Sequence, residues 1–582
     1  MTTLNHALAQ LFKDMAAVYK YLGSGERFRA MAYSRASRVI DNMDDDISTY
    51  IKKNRLGDLP GIGESIAEKI REFARTGKVK KFEALKKKVP FELMELMNVS
   101  GFGPESLKQV HRELNVSTKE QLITALENGS IRKLKGFGDR KVQNMIRGLK
   151  LFKQTEERML LWDALETGER LIHELKKMKE AGQVELEGSL RRKKETIGDI
   201  DILVSCRPRD RKKIVNRFTA LSMCKTVLAK GDTRASILID EDNRQVDLRV
   251  VNAGEWGAAQ VYFTGSREHN IMLRTIARDR GLKINEYGVF RLKDEKKIAG
   301  VTEAEVYAAL GFQWVPPEMR EDRGELALAA KNKIPKLVQL HQLKGDMQMH
   351  STWSDGILPV EELARHVLKN YKYEYIVLTD HSKSSRIAGG LDEKEFIKQM
   401  KEIEAVNKKL GRVFVRKGAE VDILAVGSLD LDDAVLSKME WVCASIHSGF
   451  SKDNTERLIA ACRNPYVNCI GHPSGRLIGK REAYPVNWKR VFDAAAETGT
   501  AMELNAQPER MDLNDELAKQ AREAGVKLVI STDSHAPENF GFMKLGVYMA
   551  QRAWCRAGDI LNTKGWKELE AFRKKKIRAC PV

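Results

Sequence analysis

Gly188-Ser189-Leu190-Arg191-Arg192, running on to Ile197-Gly198-Asp199-Ile200-Asp201-Ile202-Leu203-Val204, decides how this chain is read. Residues 197–204 form an apolar run of strand length, interrupted by Asp199 and Asp201 two positions apart. Side chains alternate across a strand, so this spacing predicts both carboxylates on one face and the isoleucines on the other. Carboxylates this close repel unless a cation neutralises them, and all-oxygen ligands suit Mg2+ or Mn2+. Val246-Asp247-Leu248-Arg249-Val250-Val251 is a second strand-like run carrying a third acid. If the two strands are neighbours in a sheet, the three acids can hold two metals about 3.5–4 Å apart, as in phosphoryl transfer. A bare Asp-x-Asp usually does no more than end a strand. Gly188-Ser189 upstream and the basic residues 191–194 favour the metal reading.

Gly188-Ser189, Gly198-Asp199-Ile200-Asp201, Asp247, Tyr262-Phe263-Thr264-Gly265-Ser266, Asn270 and Arg274 together resemble a family X DNA polymerase with a polymerase beta-like core. The resemblance covers roughly the first half of the chain. It implies that Asp199, Asp201 and Asp247 are the catalytic acids and hold two Mg2+ or Mn2+ ions. Asp247 would also help deprotonate the primer 3′-hydroxyl. Gly188, Ser189 and Arg192 would hold the triphosphate. Tyr262, Phe263, Gly265 and Asn270 would line the nucleotide site, with Tyr262-Phe263 against the sugar. Arg249 and Arg274 would face primer and template.

At 582 residues the chain is long enough for several domains. Its net charge of +19 suggests a polyanionic partner. No apolar run approaches the ~20 residues of a membrane span, and the start lacks the features of a secretory signal. Seven scattered cysteines without a Cys-x-x-Cys pair fit neither a disulfide framework nor a thiolate zinc site. A reducing, cytoplasmic, nucleoid-associated protein with no membrane contact is expected, and a monomer.

The first 85 residues have the pattern of amphipathic helices. Leu59-Pro60-Gly61-Ile62-Gly63 precedes a predicted helix over 64–76. Similar units recur at Val99-Ser100-Gly101-Phe102-Gly103 and Leu134-Lys135-Gly136-Phe137-Gly138. Paired glycines permit a tight turn that leaves backbone N–H groups free at a helix start, where a phosphate oxygen fits. Such contacts hold DNA without reading its bases. The three units resemble helix-hairpin-helix elements, with Gly61, Gly63, Gly101, Gly103, Gly136 and Gly138 against the DNA backbone. The segment 61–70 is similar to a polymerase beta lyase domain. By that resemblance Lys69 is a possible Schiff-base lysine, although Ser65 stands where the vertebrate enzyme has a further lysine. A solvated helix lysine is the plain alternative.

Val315-Pro316-Pro317 and the charged segment 319–325 read as an interdomain linker. Beyond it, apolar runs at 345–349, 375–379, 413–419, 441–446, 468–470, 500–504 and 527–531 alternate with helical stretches, which predicts a parallel barrel. Each run ends near a potential ligand: His350, His381, Glu420, His447, His472, Asn505, and Asp533 with His535. Strand C-terminal ends form the active face of α/β barrels. With Ser354-Asp355-Gly356, these motifs resemble a polymerase and histidinol phosphatase (PHP) domain. That resemblance implies a distorted (β/α)7 barrel holding two to three Mn2+ or Zn2+ ions. Its ligands would be His350, Asp355, His381, Glu420, His447, His472, Asp533 and His535. The family's first motif reads His-x-His; here Gln348 takes the first place and offers at best a carbonyl oxygen. Of eleven histidines, His6, His111, His173, His341 and His366 read as structural, and the role of His269 stays open.

The expected architecture is therefore multidomain α/β. A helical DNA-binding, lyase-like domain spans 1–85 and a fingers-like helical domain 86–155. An α+β nucleotidyltransferase palm spans 156–255 and a thumb-like nucleotide-selection subdomain 256–317. A linker at 318–338 leads to the PHP barrel at 339–582. The expected function is a DNA-directed DNA polymerase that fills short gaps during repair, acting on gapped or primer-template DNA with dNTPs. The barrel would add a metal-dependent 3′–5′ exonuclease, with AP endonuclease or 3′-phosphatase activity as further options. The alternative is a DNA-binding repair polymerase whose PHP centre is structural or acts on small phosphate monoesters.

Overall fold

The structure is a computed structural model that describes residues 3–580 apart from 42, 44–45, 60, 100, 157 and 240–243. Pro60 and Ser100 of the glycine turns, and the side chain of His6, lie outside the described residues.

The N-terminal part is helical. Its three glycine units fold alike. Ile62, Phe102 and Phe137 each donate a backbone N–H to the carbonyl three residues earlier, on Leu59, Val99 and Leu134 (3.1, 3.0 and 3.1 Å). Each of these three residues is buried. The first glycine of every unit has positive φ, +75° at Gly61, +89° at Gly101 and +82° at Gly136, where a Cβ is disfavoured. The helices Glu64–Thr76, Pro104–Leu114 and Asp139–Glu156 follow. One apolar cluster runs from Leu8 to Leu149, across the expected boundary at 85/86.

The palm is a five-stranded sheet in the order Val184–Leu186, Ile200–Ser205, Arg244–Val251, Arg234–Ile239, Cys224–Lys230. Ile200–Ser205 and Arg244–Val251 run parallel, and the other neighbours are antiparallel. The single strand expected over 197–204 is broken. Thr196–Ile197 pairs with Met159–Leu160, Gly198 and Asp199 form a bend, and the sheet strand begins at Ile200.

Beyond the palm, helices Trp256–Thr264, Arg267–Asp279 and Glu303–Ala309 pack on a three-stranded antiparallel sheet. The segment expected as a linker is part of this core: Met319, Leu326, Ala329 and Leu337 are buried in it. Arg320, fully buried, donates to Glu303 (2.7 Å) and to the Val315 carbonyl (2.9 Å). Arg320 and Glu325 of this segment are buried and paired inside the core, so high charge here does not mean solvation.

The second half is a seven-stranded parallel sheet in sequence order, from Gly345–Met349 to Leu528–Ser531. A parallel bridge between Met349 and Ser534 brings its two edges together into a barrel. The palm docks directly on it. One apolar cluster includes Ile200 and Val246 of the palm with Ile470 and Leu528 of the barrel, and Trp162 meets Phe542 edge to face at 4.7 Å. Among the described residues no helix is long and apolar enough to cross a membrane.

Candidate active sites

The register of the palm sheet places Asp201 directly opposite Asp247 on the parallel strands. Asp199, in the bend before Ile200, reaches the same point. The three acids offer oxygens within 4.8 Å of one another. Ile200 and Ile202 are buried on the core side. Burial first, then the charges of Asp199 and Asp247, push the Asp201 carboxyl up to about 7. Asp199 is raised too, by burial and by Asp247. A site that resists its own ionisation in this way suits a cation.

Gly188 (φ +62°) opens the short helix Gly188–Arg191 above these acids. Ser189 follows in its first turn. Arg192 lies against the Thr264-Gly265 turn, donating to the Thr264 carbonyl and, at 3.1 Å, to Glu321. Gly265 (φ +74°) leaves room for it; a Cβ there would stand 3.1 Å from Arg192 Nη1. The Arg249 guanidinium sits 5.4 Å from the Phe263 ring centre. Tyr262 is partly exposed beside Phe263, and Asn270 Nδ2 donates to the Tyr262 carbonyl at 2.8 Å. Arg274 Nε donates to the Asn270 carbonyl at 3.2 Å. His269 is a structural residue. It is buried between Glu325 (2.6 Å) and the Tyr307 hydroxyl (2.9 Å).

Two palm residues escaped sequence reasoning. Ser236 Oγ and Gln245 Nε2 (3.0 Å) hydrogen-bond the two oxygens of Asp247. Gln245 lies two residues before Asp247 on one strand, so alternation could have found it. Ser236 is visible only through its cross-strand pairing with Asp247.

Lys69 is half-buried on its helix, and Nζ donates to the carbonyl (2.7 Å) and hydroxyl (2.9 Å) of Ser65. Burial lowers its pKa.

At the barrel mouth Glu420 is central. Its Oε2 lies 3.2 Å from His381 Nδ1 and 3.5 Å from His350 Nε2; its Oε1 lies 2.9 Å from His472 Nε2 and 3.4 Å from His447 Nε2. Asp355 reaches His535 at 3.2 Å and His381 at 3.7 Å, and Asp533 reaches His350 at 3.1 Å. Three overlapping groups are of ion-holding size: His350, Asp355, His381 and His535; His381, Glu420 and His447; His350, Glu420 and Asp533. His472 joins them through its bond to Glu420 and belongs to none of the three. Buried His350 Nδ1, His381 Nδ1 and Glu420 Oε2 have no hydrogen-bond partner. Orphaned donor atoms of this kind fit metal ligands.

His447 Nδ1 is paired at 2.9 Å with Asp422, which also accepts from Ser385 Oγ at 2.7 Å. That pairing favours a proton on Nδ1 and turns Nε2 to the centre. The sequence reading passed over Asp422, although it lies two residues after Glu420. Gln348, which offers at best a carbonyl oxygen, has that oxygen engaged elsewhere. Its Oε1 accepts from Cys443 Sγ (2.9 Å), and its amide nitrogen faces Asp533 at 3.5 Å. With the carbonyl engaged by this thiol, the amide turns its N–H to the centre. Asn505, at the end of its strand, likewise donates to Asp533 (3.0 Å).

Comparison with known proteins agrees with both halves. Residues 163–246 match the DNA polymerase beta palm and 259–321 the DNA polymerase beta thumb. Residues 3–79 match a helix-hairpin-helix domain and 93–151 a SAM-like helix-hairpin-helix tandem. The chain is 35% identical over 567 residues to the DNA polymerase/3′-5′ exonuclease PolX of Bacillus subtilis (strain 168), covering 97% of this chain and 98% of that one. A probable phosphatase of Thermoanaerobacter sp. (strain X514) is 31% identical over 187 residues, 30% of this chain and 74% of its own. DNA polymerase lambda of Rattus norvegicus is 24% identical over 351 residues, 55% of this chain and 57% of its own. With a beta-type palm and thumb ahead of a PHP-like barrel, the chain belongs to the family X DNA polymerases of the PolX type.

Proposed function

We propose that this chain is a repair enzyme that fills short gaps in DNA from dNTPs and trims DNA 3′ ends. The observation that carries the first activity is the pairing of Asp201 with Asp247 across the sheet, with Asp199 at the same point. Ser189 and Arg192 hold the triphosphate. Asp247, oriented by Ser236 and Gln245, takes the proton of the primer 3′-hydroxyl. Tyr262 and Phe263 pack against the incoming sugar, Asn270 faces the nascent base pair, and Arg249 and Arg274 face primer and template. Divalent cations, Mg2+ or Mn2+ in the palm and two to three Mn2+ or Zn2+ in the barrel, neutralise phosphate charge and polarise the reacting oxygens when bound.

The glycine turns at 61–63, 101–103 and 136–138 offer backbone N–H groups to the phosphates of the duplex. Lys69 is a candidate lyase residue, since burial favours the neutral amine. In the barrel, Asp355, Glu420, Asp533 and the five histidines would hold the cations, which would supply the charge to bind a scissile phosphate at a DNA 3′ end. The resemblance to the exonuclease-bearing PolX supports this reading. A second reading, in which the barrel takes small phosphate monoesters or its centre is structural, draws support from Gln348 and from the probable phosphatase relative.

A manganese-dependent assay on a gapped duplex, with and without dNTPs, tests the proposal. Asp199→Ala with Asp201→Ala should abolish extension and spare 3′ degradation; His381→Ala should do the reverse. Extension that survives the double palm substitution overturns the polymerase site. Turnover of histidinol phosphate without degradation of single-stranded DNA would favour the second reading.

A further inference from the structure

Arg192 is tied to the barrel. Its guanidinium donates to Glu321, and its backbone carbonyl accepts from Arg552 Nη1 at 2.7 Å. The same Nη1 donates to Glu321 at 2.9 Å, while Arg552 Nη2 donates to Asp515 at 2.6 Å. Asp515 also accepts from Arg323 at 3.0 Å. Arg552 and Asp515 belong to barrel helices Met543–Arg552 and Asp515–Glu523. Arg192 lies in the palm, Glu321 at the end of the thumb match and Arg323 just beyond it. Arg552 is 3% exposed, while Arg192, Glu321, Asp515 and Arg323 are only partly exposed, so the middle of this alternating chain of charges is shielded from solvent.

Charge decides what the chain does. A carboxylate paired with Arg192 alone would neutralise it, and an incoming triphosphate would have to displace that carboxylate. Here Glu321 is shared with Arg552, and Lys194 is also close enough to act on it. Arg323 also pairs with Glu516 at 3.0 Å, so three guanidiniums meet three carboxylates, and Lys194, which acts on both Glu321 and Asp515, leaves the cluster one positive charge in excess. In a site of low dielectric that excess is strongly felt by an anion.

We infer that Arg552, a residue of the PHP barrel, is a positioning residue for the incoming nucleotide in the palm. It fixes the main chain at Arg192 and draws off the charge of Glu321, so that Arg192 stays available to the triphosphate. The inference rests on the reading of Arg192 as a triphosphate ligand. It makes the barrel a working part of the polymerase site rather than a passenger.

Steady-state kinetics of the full-length enzyme on a gapped duplex test it, with barrel 3′ degradation as the control for folding. Arg552→Met should raise the KM for dNTP about tenfold with kcat within about twofold, the signature of lost ground-state binding. Arg552→Lys keeps the charge but not the three-way geometry, and should raise KM by about threefold. In a Glu321→Gln background, Arg552→Met should raise KM by less than it does in the parent, because only the hold on the Arg192 main chain is then left to lose. Arg192→Gln separates the two ideas. An unchanged KM in Arg192→Gln overturns the triphosphate reading. A raised KM in Arg192→Gln with unchanged KM in Arg552→Met overturns the role of Arg552 alone. Should Arg552→Met fail to fold, an unchanged KM in Arg552→Lys overturns it equally.

Discussion

A Cβ on Gly188 would lie 2.2 Å from Oδ2 of Asp201. The chain passes over the palm acids with no room for a side chain, and at a φ of +62° that L residues avoid. Gly188→Ala must therefore displace either the helix that carries Ser189 or the carboxylate itself. Misplacement on this scale is expected to lower primer extension by about 100-fold. The barrel's 3′ degradation should be unaffected, and parallel assays on one preparation would show both.

Asp422 orients His447 without reaching the metal-sized groups itself. Asp422→Asn removes the charged acceptor that fixes the imidazole tautomer. The affinity of the barrel for Mn2+ should fall by about 10- to 100-fold, while that of the palm stays unchanged. Metal titration followed by 3′ degradation, with extension at fixed Mg2+ as control, checks this. Equal loss at both sites would point to general damage instead.

Gln348 sits where its amide N–H faces Asp533. Gln348→His replaces a donor by a ligand, so the variant should retain a further ion per chain after gel filtration than the parent does. Elemental analysis of the purified proteins gives the answer directly. Identical metal content would show that the position is outside the reach of any ion.

Glu187 supplies a pH test. Burial, partly opposed by Arg191, pushes its carboxyl up from 4.5 to about 8. Between those values the folded chain holds a proton that the unfolded chain has lost, so this group's contribution to stability declines as pH rises through that window. Glu187→Gln has no proton to lose. The melting temperature of the parent relative to the variant should therefore drop between pH 5 and pH 8, about the span over which the group titrates. Scanning fluorimetry of both proteins across that range would show the curves converging or crossing; parallel curves would mean that Glu187 is ionised throughout.

Much of this molecule is legible along the chain. Asp199, Asp201 and Asp247, the glycine turns, and the histidines and acids at the strand ends of the barrel all follow from short-range rules. Alternation, strand length and the backbone freedom of glycine operate over a few residues, and sequence displays them directly. The break at Gly198-Asp199 is less visible, because it depends on Thr196–Ile197 finding Met159–Leu160 as partner.

Other features depend on residues far apart in sequence. Segment 318–338 looks like a solvated linker until Arg320 meets Glu303 and Met319 enters the thumb core. Ser236 reaches Asp247 only across a strand pair, and Gln348 turns its carbonyl away only because Cys443 is there to take it. Arg192, Glu321 and Arg552 converge from three parts of the chain. Residue order along the chain sets which chemical groups are present and which local elements carry them. Tertiary structure alone decided which charges neutralise one another, because Coulombic and hydrogen-bond partners are chosen by distance after packing, and burial then sets their strength.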